Sequence, residues 1–148
     1  MTPTSLPHDD SPGMADEHAQ LRDMLRLLAA SFADRQSTGE QLAELLERSR
    51  DQLESHFAHE ETGGYFEGIR EAAPRLSDRV NELEHEHPQF LALIDQMRSR
   101  ALSHEATDVW RDECERLFRE FRESFLAHEA GEHDLMQEAY SQDIGDND

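Results

Sequence analysis

The stretch "CERLFREFRESFLAHEAGEHDL", Cys114 to Leu135, decides the fold. Its apolar residues do not alternate. Cys114, Leu117, Phe121, Phe125 (or Ser124), His128, Glu132 and Leu135 recur at steps of three and four, with Trp110 one turn earlier. That is the period of a helix with one face turned to a core. The same face carries a histidine and a glutamate, which an apolar core does not want. The segment resembles the H-E-x-x-H of a zinc protease, but His128 and His133 are i and i+5, and that motif needs i and i+4.

Three more rows of this kind precede it. The first helix is expected from Met14 to Asp34, with an inward row of Met14, His18, Leu21, Leu25, Leu28 and Phe32. The second starts near Thr38, with Gln41 three residues later as in a capping box. Its row is Leu42, Leu45/Leu46, Ser49, Leu53, His56 and Glu60, and it should fray or bend at Gly63-Gly64. The third opens near Ser77 with the row Val80, Leu83, His87, Phe90, Ile94 and Met97. Pro88 removes one backbone donor there and should kink the helix beside His87. The fourth runs from about Thr107 to Glu138. Links are short except around Tyr65 to Arg75, and short links favour antiparallel neighbours. The expected fold is all-α: an up-down-up-down antiparallel four-helix bundle over residues 14–140. Flexible tails are expected at 1–13, which holds three prolines, and at 141–148.

Composition narrows the function. The 148 residues suit one domain with a real core. A formal net charge of -20 disfavours nucleic acid and anionic lipid as partners. No apolar run approaches the roughly 18 residues that span a bilayer. The segment "MTPTSLPHDDSPGMA" lacks a basic region followed by an apolar one, so the expected location is cytoplasmic. The single cysteine excludes an internal disulfide and a cysteine-based metal site. Nine histidines against fourteen Lys and Arg are the unusual feature.

Each row is interrupted by histidine and two also by glutamate. Buried imidazole and carboxylate need partners, because an unpaired buried carboxylate costs several kcal/mol or more. In an antiparallel bundle the starts of odd helices meet the ends of even ones. His18, His56, Glu60, His87, His128 and Glu132 therefore converge on one layer. Taken singly, each histidine reads as a satisfied core residue and each pair as a solvated face; the shared layer is what argues for metal. His56-x-x-x-Glu60 and His128-x-x-x-Glu132 each place two side chains one turn and about 40° apart. Imidazole and carboxylate without thiolate suit iron, manganese or zinc. Six ligands exceed one tetrahedral zinc and suit two ions bridged by the two glutamates. Glu61 remains open as a further carboxylate. His59 reads as a neighbour of the site or a surface residue, and His8, His85 and His104 as exposed. Cys114 and Trp110 read as core, and Tyr65 as a cap on the bundle end.

These residues resemble the hemerythrin-like (HHE cation-binding) family over about residues 14–140. The resemblance rests on His18 in "DEHAQL", His56 and Glu60 in "HFAHEE", His87 in "LEHEHPQFLALI", and His128 and Glu132 in "HEAGEH". It implies a four-helix bundle with a non-haem di-iron centre, two irons that are oxo- or hydroxo- and carboxylate-bridged. It also implies a role in binding or sensing oxygen, peroxide, nitric oxide or iron, with a protein partner if the role is sensing. The alternative is a small di-iron oxidase or peroxidase using the same site. Oxygen carriers place two histidines on the third helix at i and i+4, and here Leu83 stands four before His87. They place an aspartate five after the last helix's histidine, where this chain has His133. The pattern is closer to the regulatory branch, with fewer histidines and HxxxE on both even helices. The ferritin-like Glu-x-x-His pattern fits Glu84 and His87, and Glu82 and His85, but only on the third helix.

Overall fold

The computed structural model describes residues 13–103 and 107–142. His8, His104 and most of the two expected tails lie outside the described residues. Five α-helices are described: α1 (Met14–Ala33), α2 (Gly39–Thr62), α3 (Tyr65–Ala72), α4 (Ser77–Leu102) and α5 (Asp108–Gln137). A 3-10 turn, Pro74–Leu76, leads into α4, and a π-helical turn, Glu138–Gln142, continues α5. The four long helices form the bundle. α2 packs on α1 and α4, α5 packs on α4 and α1, and the ring closes between first and last.

Local chemistry sets the boundaries. The Thr38 hydroxyl accepts from the Gln41 amide at 3.1 Å, and the Gln41 side chain accepts from the Thr38 amide at 2.9 Å. This capping box satisfies two donors that a helix start leaves orphaned. Thr107 caps α5 through the Trp110 amide at 3.1 Å. α2 ends at Gly63, and Gly64 takes φ 101°, left-handed backbone that a side chain disfavours. The bend expected at this pair is thus a full break, after which the chain starts α3. α4 continues through Pro88.

The inward rows of α2 and α4 are buried throughout as the periodicity requires. On α1, Met14 is only half-buried, while Glu17 and Met24 are buried. On α5 the row passes through Phe118 rather than Leu117, and through Phe125 with Ser124 exposed. The main core runs from Trp110, Phe32 and Leu42 up to Leu53, Phe57, Phe90 and Phe125. A second, smaller core collects Phe66, Ile69, Leu76, Val80, Leu83 and Leu135. The short helix α3 supplies Phe66 and Ile69, both fully buried. It was expected only as a long link; eight residues give too few turns for their period to stand out. No helix among the described residues is long and apolar enough to cross a membrane.

Candidate metal centre

Between the two apolar cores lies a polar layer. Glu60 is 0% exposed, Glu132 1%, His87 2%, His128 3% and His56 4%; the His18 side chain is 22% exposed. The layer lies within about two and a half turns of the start of α1 and the ends of α2 and α5. Apolar side chains above and below exclude water from it, which makes any charge in it costly unless paired.

The contacts divide the six side chains into two positions. The Nε2 atoms of His18 and His56 lie 3.9 and 3.0 Å from Glu60 Oε2, and His18 Nε2 lies 3.5 Å from Glu132 Oε1. His87 Nε2 lies 3.0 Å from the other Glu60 oxygen, Oε1. His128 Nε2 and His87 Nε2 lie 2.6 and 3.9 Å from Glu132 Oε2. Each glutamate therefore presents one oxygen to each histidine pair. His18, His56, Glu60 and Glu132 form one group of possible ligand atoms within 4.8 Å of one another; Glu60, His87, His128 and Glu132 form the other.

These atoms are close without being hydrogen-bonded. Nε2 of His18, His87 and His128 and all four oxygens of Glu60 and Glu132 are buried with no hydrogen-bond partner. Buried polar atoms are nearly always paired, and an unpaired charged one costs several kcal/mol. Lone pairs that converge without bonding one another suit a cation between them. Protons show the same demand. The Glu132 and Glu60 carboxylates push His18 up to about 10. Burial works against charge on His87, yet Glu132, Glu60 and Glu61 push it up to about 10. Burial opposes the Glu132 charge as well, but His128, His18 and His87 hold its carboxyl well below the usual range.

The outer faces of three imidazoles are fixed by carboxylates. His56 Nδ1 donates to Glu17 at 2.7 Å, His87 Nδ1 to Glu61 at 2.5 Å, and His128 Nδ1 to Glu86 at 2.6 Å. A carboxylate only accepts, so Nδ1 carries a proton, and Nε2 is the nitrogen that a metal ion in the layer would take in place of its own proton. Such carboxylate–imidazole pairs are the usual support of a histidine that binds metal. Glu17 also accepts from Nδ1 of the half-exposed His59. Phe57 stacks on His87 at 3.8 Å between ring centroids, and Phe90 meets His128 edge-on at 5.1 Å. Grooves of about 190 and 450 Å³ end on the Glu17–His56 and Glu86–His128 pairs.

The structure brings all six sequence-predicted residues to one layer. It places Glu61 behind His87 and His59 beside Glu17, and leaves His85 and His133 exposed. Tyr65 opens α3, half-buried, with its hydroxyl 3.7 Å from Met136 Sδ; burial, then the Glu132 and Glu60 charges, raise its pKa. Sequence reasoning missed Glu17 and Glu86. A signal was present: each directly precedes the inward histidine of its helix, in "EH" at 17–18 and 86–87.

The family model of the hemerythrin HHE cation binding domain matches residues 11–140. The chain belongs to this family. The hemerythrin HHE match spans both histidine pairs and both glutamates, so cation binding is assigned to the domain independently of the layer's geometry. No curated protein and no solved structure matches the chain.

Proposed function

We infer that this hemerythrin HHE domain is a non-haem di-iron protein that binds or senses a small ligand: oxygen, peroxide, nitric oxide or iron itself. The proposed ligands are His18, His56, Glu60, His87, His128 and Glu132. The observation that carries the reading is the split of each glutamate, one oxygen toward His18 and His56 and the other toward His87 and His128. That donor set is two imidazoles and two carboxylate oxygens per ion, with positions left over on each. Donors of this kind favour iron, manganese or zinc over calcium or magnesium. Two irons held there would supply affinity for oxygen, peroxide or nitric oxide and exchange of single electrons.

The protein's part is to hold and to exclude. Glu17, Glu61 and Glu86 keep three imidazoles in the tautomer that offers Nε2 inward. Phe57, Phe66 and Leu135 close the layer against bulk water. Oxidase or peroxidase chemistry at the same centre is the second reading; it would use the 450 Å³ groove that reaches Glu86 and His128 to admit a reducing co-substrate.

Metal analysis of the purified chain with a visible spectrum taken in air tests the reading. The expected result is two irons per chain, one for each group of ligand atoms, with oxo-bridged absorption. The His56→Ala/His128→Ala double variant should bind none. Iron retained by that variant refutes the ligand set, and a wild-type chain that takes up no metal refutes the reading. Sustained turnover of peroxide with a reducing co-substrate would favour the second reading over the first.

A further inference from the structure

We propose that the two metal positions are unequal: the His87–His128 position fills first and holds its ion tightly, while the His18–His56 position holds an exchangeable ion. The proposal rests on the metal-binding reading above and extends it to the order of loading.

Three features point the same way. The first is support of the imidazoles. Both His87 and His128 have the outer nitrogen fixed by a carboxylate, Glu61 and Glu86. Of the other pair only His56 has one, Glu17. The charge of Glu129 bears on His18, but no hydrogen bond joins them, and Glu129 Oε2 is buried without a partner. Loss of such an orienting partner typically lowers metal affinity about 10–100-fold.

The second is burial. His87 and His128 are enclosed by Phe57, Phe66, Phe90 and Phe125. His18 meets water on part of its ring. The third is where the residues sit on their helices. His87 lies well inside the 26-residue α4 and His128 well inside the 30-residue α5. Glu17 and His18 occupy the first turns of α1, whose N-cap residue Gly13 makes no side-chain cap bond. Helix ends without caps open locally at low cost. When that turn opens, one position loses both a ligand, His18, and the carboxylate that orients its other histidine. Charge widens the gap without choosing the position: whichever ion binds second meets the first across the same two carboxylates.

The test titrates the metal-free full chain with Co(II) alone, anaerobically, against a chelator of known affinity. Wild type should bind in two steps at least about tenfold apart. His18→Ala should remove the weaker step and leave the tighter one within about threefold, as expected if the positions are separable. His128→Ala should remove the tighter step. Glu86→Gln should weaken the tighter step about 10–100-fold. Far-UV circular dichroism checks that each variant is folded. Should His128→Ala fail to fold, the wild-type titration and His18→Ala decide. Two ions taken up in one unresolved step, or a tight ion lost equally in His18→Ala, overturns the proposal and leaves the metal-binding reading standing. A wild-type chain that binds no Co(II) overturns both.

Discussion

Adding ferrous iron anaerobically to the metal-free chain is expected to raise its melting temperature by about 10–20 °C. The perturbation acts on a layer where seven donor atoms, three imidazole nitrogens and four carboxylate oxygens, are buried without hydrogen bonds. The unfolded chain holds these groups apart and in water, so the ion binds the folded state preferentially. At a free concentration about 200 times the tighter dissociation constant and about 20 times the weaker, the two ions contribute about 3.1 and about 1.8 kcal/mol of stability. The layer has two positions, so the gain is about 5 kcal/mol. For a domain of this size, each kcal/mol moves the midpoint by about 2–4 °C. The assay is thermal unfolding followed by far-UV circular dichroism, with and without iron. Magnesium at the same concentration is the control, because 34 acidic residues attract any divalent ion to the surface. Magnesium prefers oxygen ligands in an octahedron and gains little from four imidazoles. An equal shift with magnesium, or an iron-dependent gain that survives in the His56→Ala/His128→Ala variant, would refute the reasoning.

Three further outcomes follow from the same geometry. His18 and His87 are raised from 6.5 to about 10 in the folded chain, so their stabilising contribution is complete below pH 6.5 and is lost as pH rises toward 10. Glu132 is depressed from 4.5, so its contribution is present above that value and lost on acidification. Melts of the metal-free chain across pH should peak between about 4.5 and 6.5, whereas iron affinity should rise with pH as the imidazoles shed protons; an iron affinity that is flat with pH would contradict this. Phe57→Ala removes the ring stacked on His87 and should cost about 3–5 kcal/mol in urea unfolding. Gly39→Ala would drive a Cβ into the Ala101 carbonyl oxygen, a clash with backbone that should cost about 1–3 kcal/mol. Gly39 lies at the opposite end of the bundle from the layer, so metal content should stay unchanged in that variant.

The fold was legible because its signals are periodic and long. Val80, Leu83, His87, Phe90, Ile94 and Met97 are six residues on one face, and all six are buried. Where two large apolar residues are adjacent, period alone does not choose between them, and packing against Phe32 drew Phe118 rather than Leu117 into the row. The layer was legible because placing six polar side chains at matched depth on the inward faces, five of them buried, has no cheap structural explanation. Of its supports, only Glu61 stood out as a candidate carboxylate. A residue beside an inward one is turned about 100° around the helix, which reads in sequence as a flank or surface position. Glu17, Glu61 and Glu86 are at such positions, among many other acids in a chain that has 34.

The direction of these flanking bonds explains why a carboxylate next to a histidine does not serve that histidine. A side chain turned by 100° faces the neighbouring helix. Glu17 on α1 supports His56 on α2, Glu61 on α2 supports His87 on α4, and Glu86 on α4 supports His128 on α5. Each helix supplies the next around the ring. Glu129, directly after His128, occupies the corresponding place on α5 and its charge reaches His18 on α1, but no hydrogen bond closes the ring. The other three seams join helices that follow one another along the bundle, through loops or through α3. The α5–α1 seam joins the last long helix to the first with no connecting segment between them, beside a turn of α1 that lacks a side-chain cap. The open bond therefore falls at the seam with the least covalent restraint, and that places the more exchangeable half of the centre on His18 and His56.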